Sequence, residues 1–262
     1  FNLAAGANDF VNSIAQQADG RFFLSGDFTF VNGLARNRIV RLNTDGTVDT
    51  SFDAGSGFSD SVQEIGVQPD GRVVAVGHFT SVNGVNRNRI ARLNSDGSVD
   101  DTFNPGGGAN NPILDMLVQP DGRTVIVGDF SSFNGVSRKG VARINSDGTL
   151  DETFGLGDGP DFSVHAVVMQ RDGRVIIAGD FKNYDGVACE GVVRLNPDGS
   201  IDKSFNSALG FDDSVRCIAL QEDGRIVIGG FFGHVGNVAR GRIARLNPDG
   251  SLDGDFAIGA GA

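Results

Sequence analysis

The chain has no tryptophan and a single tyrosine, Tyr184. Large aromatic platforms for stacking sugar faces are therefore scarce, and the aromatic content rests on 20 phenylalanines. Cysteine is nearly absent: Cys189 and Cys217 are the two present. One falls in a connecting segment and the other in a strand-like run, so they read as free thiols, not as a disulfide framework or metal site. No apolar run approaches the ~20 residues of a membrane helix, and no signal peptide is visible. Positive charge is in deficit, with 22 Lys and Arg against 33 Asp and Glu and a net charge of −11. A nucleic-acid binder needs a basic footprint, so nucleic acid is excluded as a partner. Anionic lipid is disfavoured for the same reason. His78, His165 and His234 stand at unrelated positions and offer no metal-ligand spacing.

What the chain does have is glycine, 39 of 262 residues, at fixed places. Asp-Gly-Arg recurs at Asp19, Asp70, Asp121, Asp172 and Asp223, each 51 residues after the last. A fixed period of this length signals a repeat architecture. The repeats run over about 1–51, 52–102, 103–153, 154–204 and 205–255, with 256–262 as a closing segment, so 1–262 reads as one body. Within the second repeat four strand-like runs are expected, at about 62–68, 72–80, 88–94 and 98–103. The first two meet at Q-P-D-G-R and the last two at N-S-D-G-S. Both joins suit a type I turn followed by Gly in the left-handed region, where a Cβ is strained. The second and third runs join through a longer segment holding Asn83-Gly84. A four-stranded sheet cannot bury both faces alone, but five arranged radially can. The fold class expected is all-β, a five-bladed β-propeller with four antiparallel strands per blade.

The hairpin register tests this reading. If Asn43 and Thr47 close a turn, Arg41 opposes Asp49. The pair recurs as Arg92 with Asp100, Arg143 with Asp151, Arg194 with Asp202 and Arg245 with Asp253. Opposed charges across two strands attract, and a pair repeated in every unit reads as structural. Phe28, Phe79, Phe130, Phe181 and Phe232 read as packing between blades.

The order Q-P-D-G-R-x-x-x-x-G-x-F, then N-G, then R-x-x-R-x-N-x-D-G resembles the delta-60 repeat, a propeller repeat of large bacterial surface and secreted proteins. The resemblance covers essentially the whole chain. Repeat 4 departs at Asp185-Gly186, and repeat 5 at Gly230-Phe231-Phe232 and Gly236-Asn237. The resemblance implies an extracellular or cell-surface bacterial location and no defined activity, hence no catalytic residues to carry over. Taken with the residues, the chain reads as a non-catalytic interaction or structural module, a monomeric domain with a protein or glycan ligand and no cofactor, calcium being the one left open.

Three candidate sites follow from the residues. The Asn43-x-Asp45-Gly46-x-x-Asp49 loop loosely resembles an acidic calcium loop, although turn chemistry and Arg41 already use those side chains. Glu64 and Asp115 occupy one position of the innermost strand in adjacent repeats, where Ser13, Ala166 and Cys217 stand in the others. Two carboxylates facing a channel would suit a glycosidase-like hydrolase. The third candidate is a ligand surface at the end of the second strand and the connection after it. It comprises Asp27, His78, Asp129 and Asp180, then Asn32, Asn83, Asn134 and Asp185, then Arg36, Arg87, Arg138 and Arg240. Repeated around the body, these groups suit a multivalent lectin or a protein-binding face; the structural reading is Asn-Gly turns capped by Asp.

Overall fold

The computed structural model describes residues 6–206 and 209–256. The first repeat contains β1 (Val11–Gln16), β2 (Phe22–Gly26), β3 (Phe30–Val31), β4 (Leu34–Ala35) and β5 (Ile39–Leu42). The second contains β6 (Val62–Val67), β7 (Val73–Gly77), β8 (Ser81–Val82), β9 (Val85–Asn86) and β10 (Ile90–Leu93). The third contains β11 (Ile113–Val118), β12 (Thr124–Gly128), β13 (Ser132–Phe133), β14 (Val136–Ser137) and β15 (Val141–Ile144). The fourth contains β16 (Val164–Met169), β17 (Val175–Gly179), β18 (Asn183–Tyr184), β19 (Val187–Ala188) and β20 (Val192–Leu195). The fifth contains β21 (Val215–Leu220), β22 (Ile226–Gly230), β23 (His234–Val235), β24 (Val238–Ala239) and β25 (Ile243–Leu246). Each repeat forms one three-stranded sheet, with the second strand central, and one two-stranded hairpin. These are the strand groups of an all-β, five-bladed β-propeller.

By internal contacts the chain divides into two compact units within the third repeat. The first unit runs to Val125 and adds Phe130–Ser137 and Ile144–Leu150; the second takes Ile126–Asp129, Arg138–Arg143 and the described chain from Asp151 onward.

The turn chemistry is as the sequence requires. Gly20 N–H donates to the Gln17 carbonyl and Gln17 N–H to the Arg21 carbonyl, at 3.0 and 2.8 Å, closing a type I turn with a glycine bulge. The glycines of all ten such turns have positive φ, from 82° at Gly71 to 95° at Gly97. At Gly97 a Cβ would also lie 2.5 Å from the Asp53 backbone.

Two features differ from the expected four strands. The fourth run pairs through a single bridge in each repeat, Leu93 with Val99 in the second. It stops there because the next residue, Asp100, turns the chain: its carboxylate accepts the Thr102 N–H at 2.9 Å and the Thr102 hydroxyl at 2.6 Å. That local alternative competes with the strand ladder. The connection after the second strand is itself a hairpin. Asn32 and Gly33 have φ of 52° and 78°, both left-handed, as a two-residue I′ turn demands. Each hairpin also meets the segment entering its repeat, through bridges such as Ala7 with Val31 and Phe58 with Val82. Phe1 and, Phe256 apart, the closing segment lie outside the described residues.

The core sits between successive sheets. In the first unit Phe23 and Ile39 of the first repeat pack with Val62, Ile65, Val73 and Phe79 of the second. In the second unit Ile176 and Val192 of the fourth repeat pack with Val215, Ile228 and Phe232 of the fifth. The five phenylalanines read as inter-blade packing are buried, at most 2% exposed. Phe79 sits edge-on to Phe58 at 4.6 Å and Phe232 to Phe211 at 4.9 Å.

The Arg–Asp pairs form in every repeat, with Nε–Oδ2 distances of 2.7 to 2.8 Å. Their reach goes beyond the hairpin. Arg92 also donates from Nη1 to the Ser146 carbonyl at 2.6 Å, in the equivalent turn of the next repeat, and its guanidinium lies 4.9 Å above the Phe103 ring. Arg194 does the same with the Pro248 carbonyl and the Phe205 ring. Arg41, Arg92, Arg143 and Arg194 are each thus a cross-strand pair, a tie to the turn of the next repeat and a lid on a phenylalanine. Burial opposes ionisation of Asp100, but the bonds from Thr102, Arg92 and Arg72 outweigh it and hold the carboxyl well below the usual carboxylate range.

Candidate functional site

The ligand surface read from the sequence resolves into groups with different employment. Asn32, Asn83, Asn134 and Asp185 all take positive φ in the hairpin turns. Their side chains accept backbone N–H groups of the incoming segments: Gly6 on Asn32, Ser56 on Asn83, Gly107 on Asn134 and Gly159 on Asp185. Arg36, Arg87 and Arg240 fold back onto the carbonyl of the preceding residue in their own hairpins. Arg138 holds the same place in the third hairpin, and Cys189 replaces it in the fourth. Cys189 is buried and Cys217 exposed, and both are free; burial pushes the Cys189 thiol up to about 12. Asp27, His78 and Asp180 are half-buried, and Asp129 is exposed.

The carboxylate position of the inner strands lies in the first unit. The Ser13 hydroxyl donates to Glu64 Oε1 at 2.6 Å, and the Ile65 N–H donates to the same oxygen at 3.2 Å. Burial nevertheless dominates and raises the Glu64 carboxyl above its ordinary value. The Asp115 carboxylate accepts the Met116 N–H at 2.7 Å. The strands carrying them, β6 and β11, are neighbours.

The second unit holds an arrangement in which Asp180, a ligand-surface candidate from the sequence, joins several side chains of different chemistry. It is built by β-bulges. The pairing of β16 with β17 shifts between Val164 and Ala166, and that of β21 with β22 between Val215 and Cys217. The extra residues are His165 and Arg216, and a bulge re-aims its side chain. Opposite each bulge the central strand ends in glycine because the backbones nearly touch. A Cβ on Gly179 would lie 2.1 Å from the Ser163 carbonyl oxygen, and one on Gly230 2.1 Å from that of Ser214. The following residues, Asp180 and Phe231, donate their N–H to those same carbonyls at 2.9 Å.

These constraints gather His165, Asp180, Ser214, Arg216 and Phe231. His165 Nε2 lies 2.8 Å from Asp180 Oδ2, and the Ser214 hydroxyl donates to Asp180 Oδ1. Arg216 Nη1 lies against the same imidazole, 3.0 Å from Nε2 and 3.3 Å from Nδ1. Arg216 Nη2 is 3.9 Å from Asp180 Oδ2, and its guanidinium lies 5.4 Å from the Phe231 ring centre. Exposure rises outward, from 10% for the His165 side chain through 25% for Asp180 to 45% for Arg216. Phe231 is 62% exposed, and Phe162, which precedes β16, is 67% exposed. Burial works against ionisation of Asp180; the bonds from Ser214 and His165 and the charges of His165 and Arg216 win, and hold its carboxyl below the ordinary value. A pocket of about 180 Å³ adjoins, lined by Asp180, Lys182, Glu190, Asp212 and Ser214 among others. Among the described residues no group of three or more His, Cys, Asp or Glu is arranged to hold a metal ion.

A family profile described as "Domain of unknown function (DUF5122) beta-propeller" matches residues 17–52, 68–103, 119–154, 170–205 and 221–256. The chain belongs to this family. The DUF5122 segments include the turn, the central strand and the Arg–Asp pair of each repeat, but not the inner strand. Asp180 and Phe231 therefore lie within matched segments, whereas His165, Ser214 and Arg216 fall outside them.

Among solved structures the chain is similar to an extracellular domain of BT4673 from B. thetaiotaomicron, 14% identical, covering 95% of this chain and 31% of that one, with a TM-score of 0.56. It is similar to PorZ, a surface component of the type-IX secretion system of Porphyromonas gingivalis, at 14% identity, 92% and 33% coverage and a TM-score of 0.55. Virginiamycin B lyase from Staphylococcus aureus matches at 14% identity, 92% and 67% coverage and a TM-score of 0.55. At such identities the likeness is one of fold. The chain spans about a third of the first two proteins, 31% and 33%. No match is found among the curated proteins.

Among the described residues no helix is long and apolar enough to cross a membrane. His165, Arg216, Ser214 and Phe231 were not singled out from the sequence as a site. His165, Arg216 and Phe231 stand where other repeats carry different residues, Asn12, Gln63 and Leu114 at the bulge and Asp27, His78 and Asp129 at the Phe231 position, whereas Ser214 shares its place with Ser61 and Ser163. That departure from the repeat is the signal that could have found them.

Proposed function

We propose that this chain is a non-catalytic binding module of a bacterial surface or secreted protein, of the kind built from delta-60 repeats, and that it binds through the last two repeats. The observation that carries the reading is the His165–Asp180–Ser214–Arg216–Phe231 group. It breaks the repeat, lies partly outside the family's matched segments and offers donors, an acceptor and an exposed ring on one surface. Similarity to extracellular and surface propellers supports the location.

The non-catalytic part is supported by the hydrogen bonding. The Ser214 hydroxyl is given to Asp180, not to His165, so the nucleophile–base contact of acyl transfer is not made. Glu64 is held by Ser13 and a backbone N–H. Calcium at the Asp-Gly turns gains no support, because Asp45 Oδ1 already accepts the Thr47 N–H and hydroxyl at 2.9 and 2.7 Å.

The test is to immobilise the chain and Arg216→Gln and present arrays of bacterial envelope glycans and surface proteins. Wild type should retain a ligand that is recovered chemically intact by mass spectrometry, and Arg216→Gln should lose it. Turnover of the retained ligand, or retention that ignores Arg216, overturns the reading.

A further inference from the structure

We infer that the site formed by Asp180, Arg216 and Phe231 takes a neutral sugar residue of a polysaccharide, with one site per chain. The inference rests on the binding reading above and names the ligand class.

The Asp180 carboxylate is already met by groups of its own site. The Asp180 carboxylate faces His165 on one oxygen and Ser214 on the other, with Arg216 Nη2 at 3.9 Å. Arg216 has five N–H donors. Its Nη1 meets the His165 ring, and its side chain is 45% exposed, which leaves donors facing outward. An anionic ligand would meet this one guanidinium beside a pocket lined by Asp180, Glu190 and Asp212, on a chain of net charge −11. A cationic ligand would meet Arg216 and Lys182. A neutral polyhydroxyl ligand avoids both repulsions. Sugar hydroxyls are each donor and acceptor, and the surface offers both: guanidinium and ammonium donors beside carboxylate acceptors.

The second element is apolar. Phe231 is 62% exposed although it stands where other repeats carry Asp or His. The guanidinium 5.4 Å from its centre fixes one contact of the ring and leaves most of it open. Burying an exposed Phe normally lowers free energy, so a ring held out by a bulged strand pair is available to the C–H face of a pyranose. Phe162, 67% exposed and three residues before His165, adds a second apolar surface on the same segment. Tyr184, by contrast, is 2% exposed and takes no part.

The site does not recur in the first unit. Asn12 and Gln63, at the bulge positions there, both donate to the Ser61 hydroxyl at 3.1 and 3.0 Å, and the places of Arg216 and Phe231 are taken by these amides and by Asp27 and His78. Multivalent binding by five like sites is therefore not expected.

The experiment is isothermal titration of the whole chain with neutral hexose oligosaccharides (gluco-, manno- and galacto-series) and with oligogalacturonate as the anionic counterpart. One neutral series should bind with a stoichiometry of one. Phe231→Ala and Arg216→Gln should each weaken it at least tenfold; tenfold corresponds to about 1.4 kcal/mol. Both side chains are exposed, and unchanged thermal unfolding will show that the variants fold. Arg87→Ala, on a hairpin of the first unit, should bind as wild type. Binding of uronate alone, or of a protein alone, with sensitivity to Arg216, overturns the sugar assignment and leaves the binding reading standing. Binding of no ligand class overturns both. A stoichiometry near five, or a neutral sugar bound equally by Phe231→Ala, overturns the site.

Discussion

Arg92→Ala tests whether the repeated arginine is structural. The Arg92 side chain is 5% exposed and donates to Asp100 at 2.7 Å, to the Ser146 carbonyl at 2.6 Å and to Thr102 Oγ1 at 3.3 Å. It also covers Phe103. Its removal leaves the Ser146 carbonyl without that donor and Asp100 with Arg72 at 2.8 Å as its remaining cation. Breaking a buried pair from one side costs roughly 3–5 kcal/mol. Because Arg72 stays, the lower end, about 3 kcal/mol, is expected. Asp70→Asn is the control. It removes the 3.0 Å Arg72–Asp70 pair, whose side chains are 36% and 50% exposed, while an amide oxygen can still cap the Arg72 N–H. Such a pair is worth less than about 1 kcal/mol. Arg92→Lys should recover only part of the loss, since one ammonium cannot serve carboxylate, carbonyl and ring together. Urea unfolding followed by far-UV circular dichroism reads these differences, with unchanged slopes showing that stability alone has moved. A loss below about 1 kcal/mol for Arg92→Ala, or equal losses for the two sites, would refute the reasoning.

The glycines of the two turn series should separate. Gly71→Ala bears mainly the left-handed strain, about 1–2 kcal/mol, because the nearest atom to a new Cβ is a Gln17 amide at 3.9 Å; Gly97→Ala should cost more, because the Asp53 backbone lies at 2.5 Å. Equal urea midpoints would sink that distinction. Acid should destabilise the fold through Asp49, Asp100 and Asp151, whose folded carboxyls are held below the ordinary value. Their contribution is complete above the unfolded value near ~3.9 and is lost as pH falls through the folded value. Unfolding midpoints should therefore hold down to about pH 5 and drop below about 4, with a shallower drop in Asp100→Asn; identical acid slopes would contradict this. Glu64 has the opposite sign. Its folded carboxyl is raised, so it favours the fold at low pH and loses that contribution as pH rises through the folded value. Glu64→Gln keeps an acceptor for Ser13 and should be no less stable than wild type at pH 7; a clear loss there would show that the ionised form is needed.

Much of the fold is legible in the sequence, because its determinants are local. The Asp-Gly turns need only a short segment and a glycine at positive φ. Arg41 and Asp49 are eight residues apart across one turn, so register alone pairs them. The alternation of the fourth run predicts a full strand; the carboxylate turn that halts it is also local, but it competes with pairing in a way that periodicity does not record. The Asn-Gly segments were legible as turns, and the structure adds that their side chains hold the incoming segments.

The candidate site is the contrary case. The place of Asp180 in the repeat marks it as a candidate, but nothing local marks its partners, which stand 15, 34 and 36 positions away in sequence. His165 and Arg216 are 51 residues apart and touch, because equivalent positions of neighbouring inner strands stack against each other. Period, turns and paired charges were written into the sequence by itself, since each depends on contacts within one hairpin. Which residues of different repeats share a surface was decided by the packing of sheet on sheet, since only that packing converts a distance of one repeat into a hydrogen bond.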